Sequence, residues 1–314
     1  MTAPPVAFGL VLGSAADVLL ADPARFHPVA GFGRAAAAAE RVTYRDHEVA
    51  GAIHVAALVA TAVAVTADLQ RRLPPSGRLA LTAAVTATAL GGTSLHRVAE
   101  DLVDRVEAGD LDGARDRLSW LCARDPADLD AGELCRATLE SVAENTSDAV
   151  VGTLVWGALL GPAGVILHRT ANTLDAMVGY RTTRYRRFGW AGARLDDLLG
   201  LVPARLTALL TVALAPVVGG RPRTALATWR RDAAGHPSPN AGPVEAATAG
   251  ALGVRLGGSA NRYGDVVDRR PALGHGRSPS PDDVRAAVRL SRSVCLAALA
   301  IAVVLAAQVE RGRR

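Results

Sequence analysis

Three apolar runs constrain this chain more than any other feature. Residues 49–67, 149–167 and 293–309 each approach the length a helix needs to cross a bilayer, about 17 to 20 residues. Inside lipid, backbone polar groups are satisfied only within helices or closed barrels. The chain shows no strand alternation, so the runs predict helices. The expected fold is all-α: a multi-pass integral membrane protein.

Three further apolar runs lie at 6–20, 79–91 and 198–219. The first reads as a helix ending at Asp17 or Asp22. The second is short and flanked by polar residues. The third carries Pro203, Arg205 and Pro216, which predicts a re-entrant hairpin or a surface-lying helix. That arrangement keeps the Arg-rich stretches on either side of it, Arg181–Arg187 and Arg221–Arg231, on the cytoplasmic side.

Residues 95–147 read as a soluble helical insert. Leu102, Val106, Leu111, Leu118 and Leu121 recur at helical spacing. Gly109-Asp110 marks a turn, and residues 125–130 break the chain before a new helix start. Residues 232–282, rich in Gly, Pro, Ser and Asn, predict a long polar loop region holding one helix at 244–256. The whole, 1–314, reads as one membrane-embedded domain.

Composition narrows the chemistry. No lysine is present, so all 35 basic residues are Arg. That excludes a Schiff-base mechanism and a complete Walker-type phosphate loop. Phosphate recognition must fall to Arg forks, backbone N–H groups or a metal. The net charge of +5 is clustered and lacks interleaved aromatics, so nucleic acid is not an expected partner. Cys122, Cys135 and Cys295 form no CxxC, which argues against a zinc or disulfide framework. The N-terminus has no basic region ahead of its apolar run, so a cleaved signal peptide is not expected.

Residues 144–197 gather polar groups at both ends of an apolar run, where such groups are costly and usually functional. Glu144 and Asp148 are four apart, so on an α-helix they share a face, with Asn145 beside them. Carboxylates with an amide oxygen suit a hard cation such as magnesium; acids at a helix start also suit the helix dipole. His168, Asn172 and Asp175 fall on one helical face. Arg181, Arg184, Arg186 and Arg187 follow closely, and Arg194, Asp196 and Asp197 close the stretch. The arginines suit bidentate phosphate binding and equally a membrane anchor. His236-Pro237-Ser238-Pro239-Asn240 is a proline-set loop ahead of Glu245, able to place an acid–base pair.

With these motifs assembled, the chain closely resembles the CobD/CbiB family of cobalamin biosynthesis. The match is carried by Asp22-Pro23 and His27-Pro28-Val29, by ESVAENTSD from Glu140 to Asp148, and by NTLDAMVGYR from Asn172 to Arg181. FGWAGARLDD from Phe188 to Asp197, PARLT from Pro203 to Thr207, HPSPNAGPVEAA from His236 to Ala247 and AGALGVRLGG from Ala249 to Gly258 complete it. Ala149, His168, Gly192 and Cys122 depart from the family pattern, but no charged motif residue is lost.

The resemblance implies a plasma-membrane enzyme with cytoplasmic catalytic loops. Its substrates would be adenosylcobyric acid and aminopropanol or aminopropanol phosphate. ATP and Mg2+ would drive amide formation, alongside other cobalamin-pathway enzymes. On residue chemistry at the motif positions, Glu144, Asp148, Asp175, Asp196 and Asp197 are the candidate magnesium ligands. Arg181, Arg184, Arg187 and Arg194 are candidates for holding phosphate. Asn145, Asn172 and Asn240 would orient substrate, and Asp175, His236 and Glu144 would be catalytic. Two other classes stay open: a membrane transporter or corrinoid carrier without chemistry, and a membrane alcohol phosphotransferase.

Overall fold

The computed structural model describes residues 4–22, 27–180, 182–258, 260–263 and 266–312. In chain order the helices are α1 Pro5–Leu20, α2 Pro28–Thr43, α3 Glu48–Arg72, α4 Pro75–Ala89, α5 Gly92–Glu107, α6 Leu111–Leu118 and α7 Ala131–Asn145. A π-turn, Thr146–Val151, leads into α8 Gly152–Leu160 and α9 Pro162–Val178. Then come α10 Tyr185–Phe188, α11 Trp190–Leu214, α12 Pro222–Asp232, α13 Ala241–Leu252 and α14 Pro281–Gly312. Short strands β1 Leu256–Gly257, β2 Ala260–Tyr263, β3 Val266–Arg269 and β4 Ala272–Leu273 lie between α13 and α14. The chain forms two compact units: residues 1–91, 148–200 and 298–314, and residues 92–147 and 201–297.

In the first unit, α1 and α4 pack through small residues. A Cβ on Gly9 would stand 2.5 Å from Thr82 Cβ, and one on Gly13 would stand 2.6 Å from Thr86 Cβ. The four-residue spacing on both helices brings the backbones together, the usual basis for helix association where lipid competes for apolar contacts. Glu310 near the end of α14 accepts from Val6 N–H at 3.2 Å and Ala7 N–H at 3.5 Å. An acid there satisfies amides that a helix start leaves open.

Three helical stretches are long and apolar enough to cross a bilayer: Glu48–Arg72, Trp190–Val218 and Pro281–Gly312. Two expectations are corrected by this. The run 149–167 is not one crossing helix. Gly161 takes φ 69° and Pro162 starts a new helix. Gly164 lies against Trp156, and Gly152 against His168. These pairs run in opposite order along α8 and α9, so the two helices form an antiparallel hairpin with Gly161 at its tip. At nine residues, α8 spans about 13 Å, too short to cross.

The re-entrant hairpin expected at 198–219 is absent; α11 continues through Pro203 and ends in a 3-10 turn, Ala215–Val218. Proline has no N–H to offer the carbonyl four residues back, that of Leu199. Trp156 Nε1–H donates to that carbonyl at 2.9 Å. The side chain replaces the missing backbone donor, so the helix need not break.

The second unit closes around an apolar core of its own. Leu95, Leu102, Leu118, Leu134 and Leu139 are buried together, with Val106, Leu111 and Leu121 packed against them. The turn at Gly109 takes φ 76°, and Asp110 accepts from Gly113 N–H at 2.9 Å. Asp130 and Glu133 form a reciprocal capping box at the start of α7. The region 232–282 is less loop-like than expected. β1 pairs antiparallel with β4, and β2 with β3. These strands are too short and too charged to show a two-residue alternation in sequence.

Candidate active site

The polar sequence motifs concentrate in two groups of charged residues, one in each unit. In the second unit the group forms around Glu140 of α7. Arg124 donates to Glu140 Oε2, Gly257 N–H donates to Oε1 at 2.8 Å, and Arg136 Nη1 lies 3.5 Å from Oε1. Glu245 of α13 is fully buried. Arg270 Nη1 lies 3.5 Å from its Oε1, and His236 Nε2 lies 3.9 Å from its Oε2. The Ser238 N–H donates to His236 Nδ1 at 3.1 Å, which directs the ring's other nitrogen at Glu245. Asn240 Oδ1 accepts from Arg205 Nη1 at 2.9 Å.

Burial and like charge separate these carboxyls. Glu245 is pushed well above the usual carboxylate range by burial and by Glu140 and Glu144, against Arg270 and Arg124. Glu144, half-buried, is raised by burial and by Glu140, again opposed by Arg270 and Arg124. Burial also opposes the charge on Glu140, but Arg124, Arg136 and the Gly257 amide outweigh it and hold its carboxyl low. Carboxyls driven apart in this way are a mark of functional sites. Of the acids with raised affinity for a proton, Glu144 is the more accessible.

In the first unit the group forms around Arg169 of α9. Asp22, Asp148 and Asp196 all act electrostatically on its guanidinium. Its Nη1 donates to Asn172 Oδ1 at 3.3 Å, while its buried Nε has no hydrogen-bond partner. His168 Nε2 meets the Asp148 carbonyl at 2.8 Å, and His27 Nε2 meets Asp22 Oδ1 at 3.0 Å. His27 also caps α2 by accepting from Val29 N–H at 3.2 Å. Four separated stretches of sequence, at 22–27, 148, 168–172 and 196, are thus linked around one guanidinium.

The expected residues divide accordingly. Glu144, His236 and Asn240 belong to the second unit, with Asn145, whose Nδ2 donates to Ser141 O at 2.9 Å. Asp148, Asn172, Asp175, Asp196 and Asp197 belong to the first. The Glu144–Asp148 spacing falls where the helix changes to a π-turn, a distortion frequent at functional sites. His236 has a side chain only 1% exposed, so it meets Glu245 rather than solvent. Arg184 pairs with Glu40 at 2.8 Å and stacks 4.2 Å from the Tyr44 ring. Arg194 lies 3.6 Å from Asp197 and is exposed, as is Arg187. Arg181 lies outside the described residues.

Among the described residues no group of three or more His, Cys, Asp or Glu side chains is arranged to hold a metal ion. Magnesium needs no such cage, since it keeps several waters and binds through one or two carboxylates plus phosphate oxygens. The hard oxygens of Asp22, Asp148 and Asp196 fit that mode.

Several of these residues escaped the sequence reading. Arg169 follows His168 directly, and a charge in an apolar run was signal enough. Glu140 stands one helical turn before Glu144. Arg124 lies between Cys122 and Asp125, outside the polar motifs that carry the family resemblance. Nothing in the spacing of Arg136, Arg205 or Arg270 pointed to the site.

A family model described as CobD/Cbib protein matches residues 10–291. The cobalamin biosynthesis protein CobD of Mycobacterium tuberculosis strain H37Rv is 55% identical over 299 residues, covering 95% of each chain. That of Chromobacterium violaceum is 44% identical over 283 residues, covering 87% of this chain and 88% of the relative. That of Pelobacter propionicus is 39% identical over 306 residues, covering 95% and 94%. No solved structure matches. With its motifs in order and its matches running nearly end to end, the chain belongs to the CobD/CbiB family of cobalamin biosynthesis.

Proposed function

We propose that the protein joins the propionate carboxyl of adenosylcobyric acid to the amine of aminopropanol or aminopropanol phosphate, with ATP consumed. The observation that most supports this is Glu144: a half-buried carboxyl, one helical turn after Glu140, whose proton affinity is raised by burial and by Glu140 against the pull of Arg270 and Arg124. An amine substrate is an ammonium ion at neutral pH and must lose a proton before it attacks. A base poised nearer neutrality than an ordinary carboxylate suits that task.

The carboxyl substrate is a poor acyl donor until its oxygen becomes a good leaving group. Its activation as a mixed anhydride with phosphate leaves phosphate as the group displaced by the amine. Phosphoryl transfer asks chiefly for positioning and charge stabilisation. Magnesium, when bound, neutralises phosphate charge; Asp22, Asp148 and Asp196 would hold it, together with Asp175 and Asp197 of the same unit. Arg187 and Arg194 are exposed and suit phosphate oxygens, with Arg181 beside them in sequence. Arg184, tied to Glu40 and Tyr44, shapes the segment instead. Asn172 steadies Arg169, and Asn240 steadies Arg205. His236 acts on Glu245, not on substrate. ATP and the corrinoid place these groups on the cytoplasmic face of the cell membrane.

Glu144→Gln tests the base. Amide formation should fall by about 10²- to 10⁴-fold near neutral pH, with corrinoid binding retained. Raising the pH should recover part of the loss, because solution then supplies unprotonated amine. Wild-type rates in Glu144→Gln at neutral pH would remove Glu144 from the reaction. Asp175→Asn should likewise fold and bind but form no amide; normal turnover would remove Asp175 from the metal-binding set.

A further inference from the structure

We infer that a cleft in the first unit, bordered by α3, α4 and the tip of the α8–α9 hairpin, binds an anionic phospholipid. An acyl chain would lie along its apolar wall and the headgroup phosphate on Arg71 and Arg78. The cleft has a volume of about 430 Å³, with Ala67, Leu160, Ala163 and Leu167 in its wall and Arg71 and Arg78 at its rim. That volume is ordinary for a site that takes a small molecule. α3 is long and apolar enough to cross a bilayer, and only 22% of its apolar window is buried. Its outer surface therefore faces acyl chains.

The two arginines stand where α3 ends and α4 begins, at the end of the apolar length, where headgroups lie. Asp68 is shared between Arg71 at 3.3 Å and Arg72 at 2.6 Å. Arg78 gives its Nε to the Leu73 carbonyl at 3.0 Å. Arg71, Arg72 and Arg78 against Asp68 leave a local charge of about +2. A guanidinium fork holds a phosphate in two parallel bonds. A zwitterionic headgroup would bring its own cation to the same rim and lose most of that attraction. None of these residues belongs to the machinery proposed for amide formation, so the two readings stand or fall separately.

The test uses the full chain in a neutral detergent, with native mass spectrometry and thermal unfolding as readouts. Phosphatidylglycerol, phosphatidylcholine and glycerol 3-phosphate are added separately. Phosphatidylglycerol should bind about tenfold tighter than phosphatidylcholine and raise the unfolding temperature. The double variant Arg71→Gln/Arg78→Gln should lose that preference while keeping its unfolding temperature in lipid-free detergent. Ala163→Phe, which fills the wall, should weaken both lipids alike. Equal binding of the two lipids by the wild type would overturn the inference. So would a preference that survives the double variant, or binding of glycerol 3-phosphate as tight as that of the lipid.

Discussion

At the residue scale, Glu245 is the side chain whose state the protein controls most strongly. It is fully buried, and burial with two neighbouring glutamates raises its proton affinity well above the usual range. A carboxyl whose folded pKa is raised contributes stability that is complete below its unfolded value, about 4.3. That contribution is lost as pH rises through the folded value. Glu245→Gln copies the neutral acid in shape and hydrogen-bonding capacity. Thermal unfolding across pH should show wild-type stability falling on the alkaline side and the variant falling less. Identical pH profiles would mean that Glu245 is ionised in the fold. Arg169 illustrates the opposite case, a half-buried cation whose charge is matched by Asp22, Asp148 and Asp196. Both residues carry one lesson for sequence reading. Glu144, Asp148, Asn172 and Asp196 were legible because they stand in short polar motifs. Their counter-ions were not, because Arg124 and Arg270 come from distant stretches that only folding brings together.

At the element scale, close contact between helices does what caps and propensity cannot. α1 has sixteen residues, short for a lone span, and it is held against α4 by Gly9 and Gly13. Gly13→Leu would drive a side chain into Thr86 and the Ala83 carbonyl. The cost should be about 1–3 kcal/mol, read as a lower unfolding temperature in detergent. Thr86→Gly in the same chain should recover part of it; no loss in the single variant would contradict the packing. Helix positions were readable here because apolar length and proline starts are local signals. The hairpin at Gly161 was not, because the apolar run 149–167 passes through the tip without a polar residue. The break comes from Gly161-Pro162, which reads equally well as a kink in a span. The straight course of α11 was hidden for the converse reason. Pro203 signals a break, and its repair depends on Trp156, 47 positions earlier in sequence (203 minus 156).

At the scale of the whole molecule, two kinds of surface coexist. Large apolar side chains stand exposed on α1, α3 and α14, among them Leu19, Leu20, Ile53, Val65, Leu296 and Val304. On a water-facing protein such surface would be a liability; on α3 and α14, which are of membrane length, and on the shorter apolar α1 packed beside α4, it is the expected lipid contact. The second unit instead closes an apolar core beneath polar helices. The fold class was plain from apolar run lengths, whereas the short strands were not. The family was plain from long motifs in order, whereas the chemistry rests on what their side chains can do together.

The most direct test of the account supplies purified protein with adenosylcobyric acid, ATP and magnesium. Aminopropanol and its phosphate are then added in separate reactions and the products weighed by mass spectrometry. The account predicts a corrinoid heavier by the amine less one water, formed together with ADP in wild type and lost in Glu144→Gln at neutral pH. Unchanged adenosylcobyric acid and no ADP, with corrinoid still bound, would contradict ligation and leave a carrier in its place.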